Sequence, residues 1–133
     1  MLAPHVLLVE DSSFMANRVA DTLEEAHNFY VTTVATADGV RDALAEYDDI
    51  ECIVANYELP GTTGVKLAES INGGAEDPEV PIILLTGKAL EPIAEDAIRS
   101  GATEFIYKGD HATGDMDVLA NRINTVLKAY GNR

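Results

Sequence analysis

The sequence predicts an α/β domain, a parallel sheet covered by helices on both faces. Short apolar runs alternate along the chain with longer stretches whose apolar residues recur every three to four positions. The short runs are continuous rather than alternating, which is the pattern of strands buried on both sides. The 133 residues, 47% of them hydrophobic, suffice for one compact domain with a real core.

The first apolar run is Val6-Leu7-Leu8-Val9. Ser12 or Ser13 then caps a helix whose apolar face is Met15, Val19, Leu23 and Ala26. Residues 30–35 are β-branched and aromatic and read as a second strand. Thr36 or Asp38 precedes a helix carrying Val40, Ala43, Leu44 and Tyr47. Residues 52–55 form a third strand, and Val65, Ala68 and Ile71 mark the helix after it. Residues 72–81 include Gly73, Gly74 and Pro78 and read as a turn-rich connection. Residues 82–85 form a fourth strand, followed by a helix with Ile93, Ala94, Ala97 and Ile98 that ends at Gly101. Residues 105–107 form a short fifth strand, and a final helix carries Leu119, Ile123, Val126, Leu127 and Tyr130 before Gly131. Five strand–helix units in succession imply right-handed crossovers. Periodicity alone leaves the strand order open.

Nine basic against 23 acidic residues give a net charge of −14 and an isoelectric point near 4.3. That balance argues against a partner read through its phosphate backbone, which needs clustered cations; Lys66, Lys88, Lys108 and Lys128 are all separated. The acidity fits a well-solvated surface, adaptation to a high-salt cytoplasm, or a face for a basic partner. The even spread of the acids favours the first. A single cysteine, Cys52, excludes an intrachain disulfide and a cysteine-built zinc site. No apolar run approaches the ~20 residues of a membrane helix, and residues 1–10 lack the basic-then-apolar order of a signal peptide. The expected location is the cytoplasm, away from membranes.

Open parallel sheets gather ligands at the carboxyl ends of their strands. Glu10 and Asp11 follow the first strand, Asn56 follows the third, Thr86 ends the fourth, and Lys108 follows the fifth. Two carboxylates suit a hard divalent cation such as Mg²⁺. A hydroxyl and an ammonium suit a phosphoryl group. Each residue alone has an ordinary explanation. The acid pair favours a helix N-terminus, Thr86-Gly87 is common strand-end chemistry, Lys108 fits a solvated surface, and Asn56 fits a turn. Their joint placement at successive strand ends is what indicates a site.

Four segments carry a resemblance: residues 6–12 (VLLVEDS), residues 56–61 (NYELPG) with Gly64, residues 85–87 (LTG) and residues 101–108 (GATEFIYK). Over almost the whole chain they resemble the receiver domain of two-component response regulators. The resemblance implies a flavodoxin-like three-layer sandwich, a single domain over residues 1–133. Its five parallel strands would run in the order 2-1-3-4-5 with five helices. It makes Asp11 a direct metal ligand, Glu10 a second acid acting through metal-bound water, and the backbone carbonyl of Glu58 a main-chain ligand, with position 56 completing the set. Thr86 becomes the switch hydroxyl, Lys108 its partner on the phosphoryl group, and Phe105 the aromatic whose rotamer reports activation. Pro60-Gly61 and Gly64 match the turn into the third helix. The implied role is a signalling module rather than an enzyme. A histidine kinase or phosphotransfer protein would be its donor, and an output partner would bind the last helices without direct nucleic-acid contact.

One departure outweighs the others. The family's phosphate acceptor is an aspartate, and this chain has Asn56. A carboxamide is neutral and a poor nucleophile. The formal charge at positions 10, 11 and 56 is −2, where an aspartate would make it −3. The expectation is weak or absent Mg²⁺ binding and no aspartyl phosphate. Such a residue fits a receiver that signals without phosphorylation, or an engineered acceptor knockout. Smaller departures are Gly109 where proline is usual, Phe105 without the hydroxyl of the commoner tyrosine, and Glu10 for aspartate.

Two other classes fit the strand-end residues less well. A Mg²⁺-dependent phosphoryl-transfer or hydrolytic enzyme on a similar sheet would need a nucleophile or base, and His5, His27 and His111 form no recognisable constellation with Asn56. A flavin binder needs a phosphate-cradling loop where Glu10-Asp11 would repel phosphate. No helix-turn-helix pattern follows the last helix, so the expectation is a stand-alone receiver or the receiver portion of a longer protein.

Overall fold

The computed structural model describes residues 3–72, 80–86, 104–107 and 116–130. In chain order these residues form β1 (His5–Val9), α1 (Ser13–His27), β2 (Tyr30–Val34), α2 (Ala37–Glu46), β3 (Ile50–Asn56), β4 (Glu58–Leu59), β5 (Thr62–Thr63), α3 (Gly64–Asn72), β6 (Ile82–Thr86), β7 (Glu104–Tyr107) and α4 (Met116–Tyr130). The helix expected around Ile93 to Ile98 lies outside the described residues.

Five strands form one sheet in the order β2-β1-β3-β6-β7, and every neighbouring pair is parallel. Counting only those five in chain order, this is the expected 2-1-3-4-5. The central strands are longer than their apolar runs. β3 reaches from Ile50 to Asn56, because its ladder with β1 begins at the Ile50–His5 pair and pairing extends past the hydrophobic residues. β2 stops at Val34, one residue short of the expected end.

Alternation along the strands divides the core in two. Val6, Leu8, Cys52, Val54, Ile83 and Leu85 face one side, where Ala16, Val19 and Leu23 of α1 and Leu119, Ala120, Ile123 and Val126 of α4 cover them. Leu7, Val9, Ile53, Ala55, Ile82 and Leu84 face the other side, under Val40 and Ala43 of α2 and Leu67 and Ala68 of α3. The buried stripe of α1 is therefore Ala16, Val19, Ala20 and Leu23, with Met15 only half-buried. On α3 the deepest residues are Leu67 and Ala68; Val65 and Ile71 pack at the margin.

Local chemistry sets the helix ends. Of the two candidate caps for α1, Ser12 serves, its Oγ accepting from the Met15 amide at 3.3 Å. Thr36 caps α2 by accepting from Gly39 N–H at 3.1 Å. At the far end of α1, Asn28 adopts left-handed geometry with φ 60°. Asparagine tolerates that conformation, and it lets the Phe29 amide reach back to the Leu23 carbonyl at 3.2 Å. Phe29 is thereby turned into the core.

The amino end of the sheet holds a buried polar group. The His5 side chain is almost fully buried, with Nδ1 donating to Asp49 Oδ1 at 2.8 Å and Nε2 lying 2.7 Å from Thr32 Oγ1. Tyr30 and Tyr47 flank its ring at centroid distances of 4.5 and 5.2 Å. No helix among the described residues is long and apolar enough to cross a membrane.

Candidate functional site

The opposite, carboxyl rim gathers the residues singled out by the sequence. Glu10 leaves β1 with its amide donating to the Val34 carbonyl at 3.0 Å, which keeps the chain against β2 for one more residue. Its carboxylate turns in both available directions. Oε2 accepts from the Ser12 amide at 3.1 Å, at the positive end of α1 where an anion is favoured. Oε1 accepts from Asn56 Nδ2 at 2.5 Å. One half-buried acid thus joins the ends of β1 and β3 to the first turn of α1. Asp11 is exposed beside it.

A shallow cleft of about 200 Å³ opens from this pair toward the end of β2, lined by Glu10, Asp11, Ser13, Asn17 and Thr33 among others. Asn56 lies outside that lining. Among the described residues, no three His, Cys, Asp or Glu side chains converge on a point where they could hold a metal.

Asn56 is the last residue of β3 and pairs with Leu85 of β6. The next amide, Tyr57 N–H, donates to the Leu85 carbonyl at 2.7 Å. That bond carries β3–β6 pairing up to the rim and brings Thr86, the last residue of β6, level with the end of β3. The β6–β7 ladder pairs Leu84 with Phe105 and Thr86 with Tyr107. The residue after Tyr107 is Lys108, which lies outside the described residues, as does Gly109. The structure therefore gathers Glu10, Asp11, Asn56 and the backbone of Thr86 at one rim.

The turn after Asn56 holds an element that the sequence reading missed. Glu58–Leu59 and Thr62–Thr63 form a two-stranded antiparallel ribbon, β4–β5, so Glu58 contributes its backbone to a small ladder. Pro60 and Gly61 close it, and Gly61 has φ 74°. Proline followed by a positive-φ glycine is the signature of a type II turn. Gly64 then donates to the Tyr57 carbonyl at 2.6 Å. A Cβ at Gly64 would meet the Asn56 carbonyl oxygen at 2.6 Å and Leu84 Cδ2 at 2.7 Å, so α3 starts hard against the end of β3. The signal for this ribbon was the Pro-Gly pair between Leu59 and Thr62; strands of two residues carry no periodicity of their own.

The donor set can be tested against a divalent cation. A cation shared by positions 10 and 56 needs oxygen from both. Here an amide N–H of Asn56 points at the Glu10 carboxylate, which already accepts from Ser12 as well. A nitrogen-bound proton fills the space between the two side chains. The pair at 10 and 56 does not fit the metal as arranged.

Comparison with known proteins gives a consistent picture. A family profile described as the response regulator receiver domain matches residues 6–120. The chain is 35% identical over 106 residues to the C4-dicarboxylate transport transcriptional regulatory protein DctD of Rhizobium meliloti, covering 80% of this chain but 22% of that protein. It is 28% identical over 120 residues to the two-component response regulator ORR3 of Oryza sativa, covering 90% of each. Among solved structures, it is similar to the chemotaxis response regulator CheY4 of Vibrio cholerae, with TM-score 0.74, 25% identity, and 96% and 100% of the two chains covered. The receiver domain of the Francisella response regulator 1452 has the same fold, with TM-score 0.80 at 19% identity over 95% and 98% of the chains.

Proposed function

The chain belongs to the response regulator receiver domain family, and we propose that it signals without forming an aspartyl phosphate at position 56. Domains of this family are signalling modules of two-component systems rather than enzymes, they typically bind Mg²⁺ in an acidic pocket, and they work with histidine kinases or phosphotransfer proteins. The observation that carries the proposal is Asn56. It stands at the end of β3, on the rim shared with Glu10, Asp11 and Thr86, and its carboxamide is hydrogen-bonded to Glu10. Phosphorylation at that place requires an anionic oxygen that attacks phosphorus, and a carboxamide supplies none.

In this reading the domain spans residues 1–133, and Asp11, Glu10 and the Glu58 carbonyl are remnants of a cation site whose affinity is weak or lost. Thr86, Lys108 and Phe105 retain the positions of the switch. Output passes through protein–protein contact on the last helices, without direct contact to nucleic acid, and the domain works in the cytoplasm. The acidic surface is compatible with a high-salt interior.

Intact-mass measurement after incubation with Mg²⁺ and acetyl phosphate tests this. The protein as it stands is expected to gain no phosphoryl group. Asn56→Asp is expected to gain one, labile to base. A base-labile phosphate mapped to residue 56 of the unaltered chain would overturn the proposal.

A further inference from the structure

We infer that the Asn56 amide takes over the cation's part as the partner of Glu10, so that this rim is held together without metal. The inference deepens the reading above and rests on it. Three features of the geometry carry it. First, Asn56 donates to Glu10 across the β1–β3 boundary, over 46 positions of sequence, so the bond ties elements that sequence proximity does not. Second, the other Glu10 oxygen holds the Ser12 amide at the start of α1. The carboxylate's charge is thereby answered on both sides by N–H groups, as a half-buried anion requires. Third, an aspartate at 56 would set two carboxylates at hydrogen-bond distance, an arrangement that needs a proton or a cation between them. The carboxamide is nearly isosteric with that aspartate and removes the need. The clamp fixes Glu10 against α1 and β3 permanently, where a cation would do so only when bound.

Thermal unfolding in excess EDTA and in about 10 mM MgCl₂, at matched ionic strength, tests the clamp. The unaltered protein is expected to keep its midpoint within about 1 °C between the two conditions, because a ligand with no site in the folded state shifts nothing. Asn56→Asp is expected to fall by on the order of 5 °C in EDTA and to recover with Mg²⁺. A Mg²⁺-induced rise in the unaltered protein equal to that of the variant would overturn the inference. So would an Asn56→Asp midpoint in EDTA that matches the unaltered protein. Should Asn56→Asp fail to fold without metal, Glu10→Ala, Asn56→Ala and the double variant decide. The double variant is expected to lose no more than the worse single one, and additive losses would count against the clamp. The two proposals fail separately. A phosphate on residue 56 removes the signalling reading, whereas a metal-dependent midpoint in the unaltered chain removes only the clamp.

Discussion

Gly64 shows how much one residue constrains the site. The space a methyl group would need is already held by the Asn56 carbonyl and the Leu84 side chain. Gly64→Ala must push α3 away from the end of β3, and we expect a loss of about 1–3 kcal/mol in urea unfolding, typical of overpacking. A loss well below about 1 kcal/mol would show that the approach is more yielding than its distances indicate. At this scale the sequence was informative where chemistry is local. Glu10, Asp11, Asn56 and Thr86 could be placed because each follows or ends a recognisable apolar run. The direction in which Glu10 turns was not legible, because it depends on a partner 46 residues away.

At the scale of elements, His5 ties three segments at the amino end of the sheet. It begins β1, touches Thr32 of the edge strand β2, and binds Asp49 just before β3. The hydrogen bond from His5 holds the Asp49 carboxyl below its ordinary value, against the opposing effect of desolvation. A depressed folded-state value means that the folded protein binds that proton less readily than the unfolded chain. The stabilisation is present above the ordinary carboxylate range and is lost as pH falls through the folded-state value. Thermal midpoints of the unaltered protein and Asp49→Asn should therefore differ at neutral pH and converge in acid. A constant gap down to acid pH would show that Asp49 contributes through packing alone. Composition gave no hint of this group, and the sequence reading left His5 without a constellation. Its partners at 32 and 49 meet only once β1, β2 and β3 are side by side. The strands themselves were legible because both-sided burial makes them uniformly apolar. Their ends were not, since backbone pairing continues past the unbroken apolar run, through Glu51 to Ile50 at one end of β3 and to Asn56 at the other.

Across the whole molecule, the two-sided core places Cys52 in a central strand, wholly buried among the side chains under α1 and α4. Burial pushes its thiol up to about 12, with Glu51 adding to the effect. Thiolate is the reactive form, so Cys52 should resist iodoacetamide in the native protein and react only through opening of the central sheet. Labelling whose urea dependence tracks global unfolding is the expected result, read by mass. Rapid labelling in native buffer would mean that α1 or α4 lifts from the sheet independently. The fold class was legible at this scale from the succession of strands and helices, whereas strand order came only through the family resemblance, because periodicity is indifferent to which strand lies beside which.

The layer shared by α1 and α4 has a consequence for a chain made from its amino end. Val6 and Leu8 share their hydrophobic cluster with Ile123 and Val126, which are synthesised much later than they are. Until α4 emerges, one face of the growing sheet has half its roof, and its Val and Leu side chains stay open to water and to other nascent chains. The opposite cluster, under α2 and α3, reaches no later than Leu84 among the described residues and so assembles sooner. Synthesis therefore passes through a lopsided intermediate, in which the cluster under α1 waits for its second helix, and the arrival of α4 rather than collapse of the first half completes that cluster.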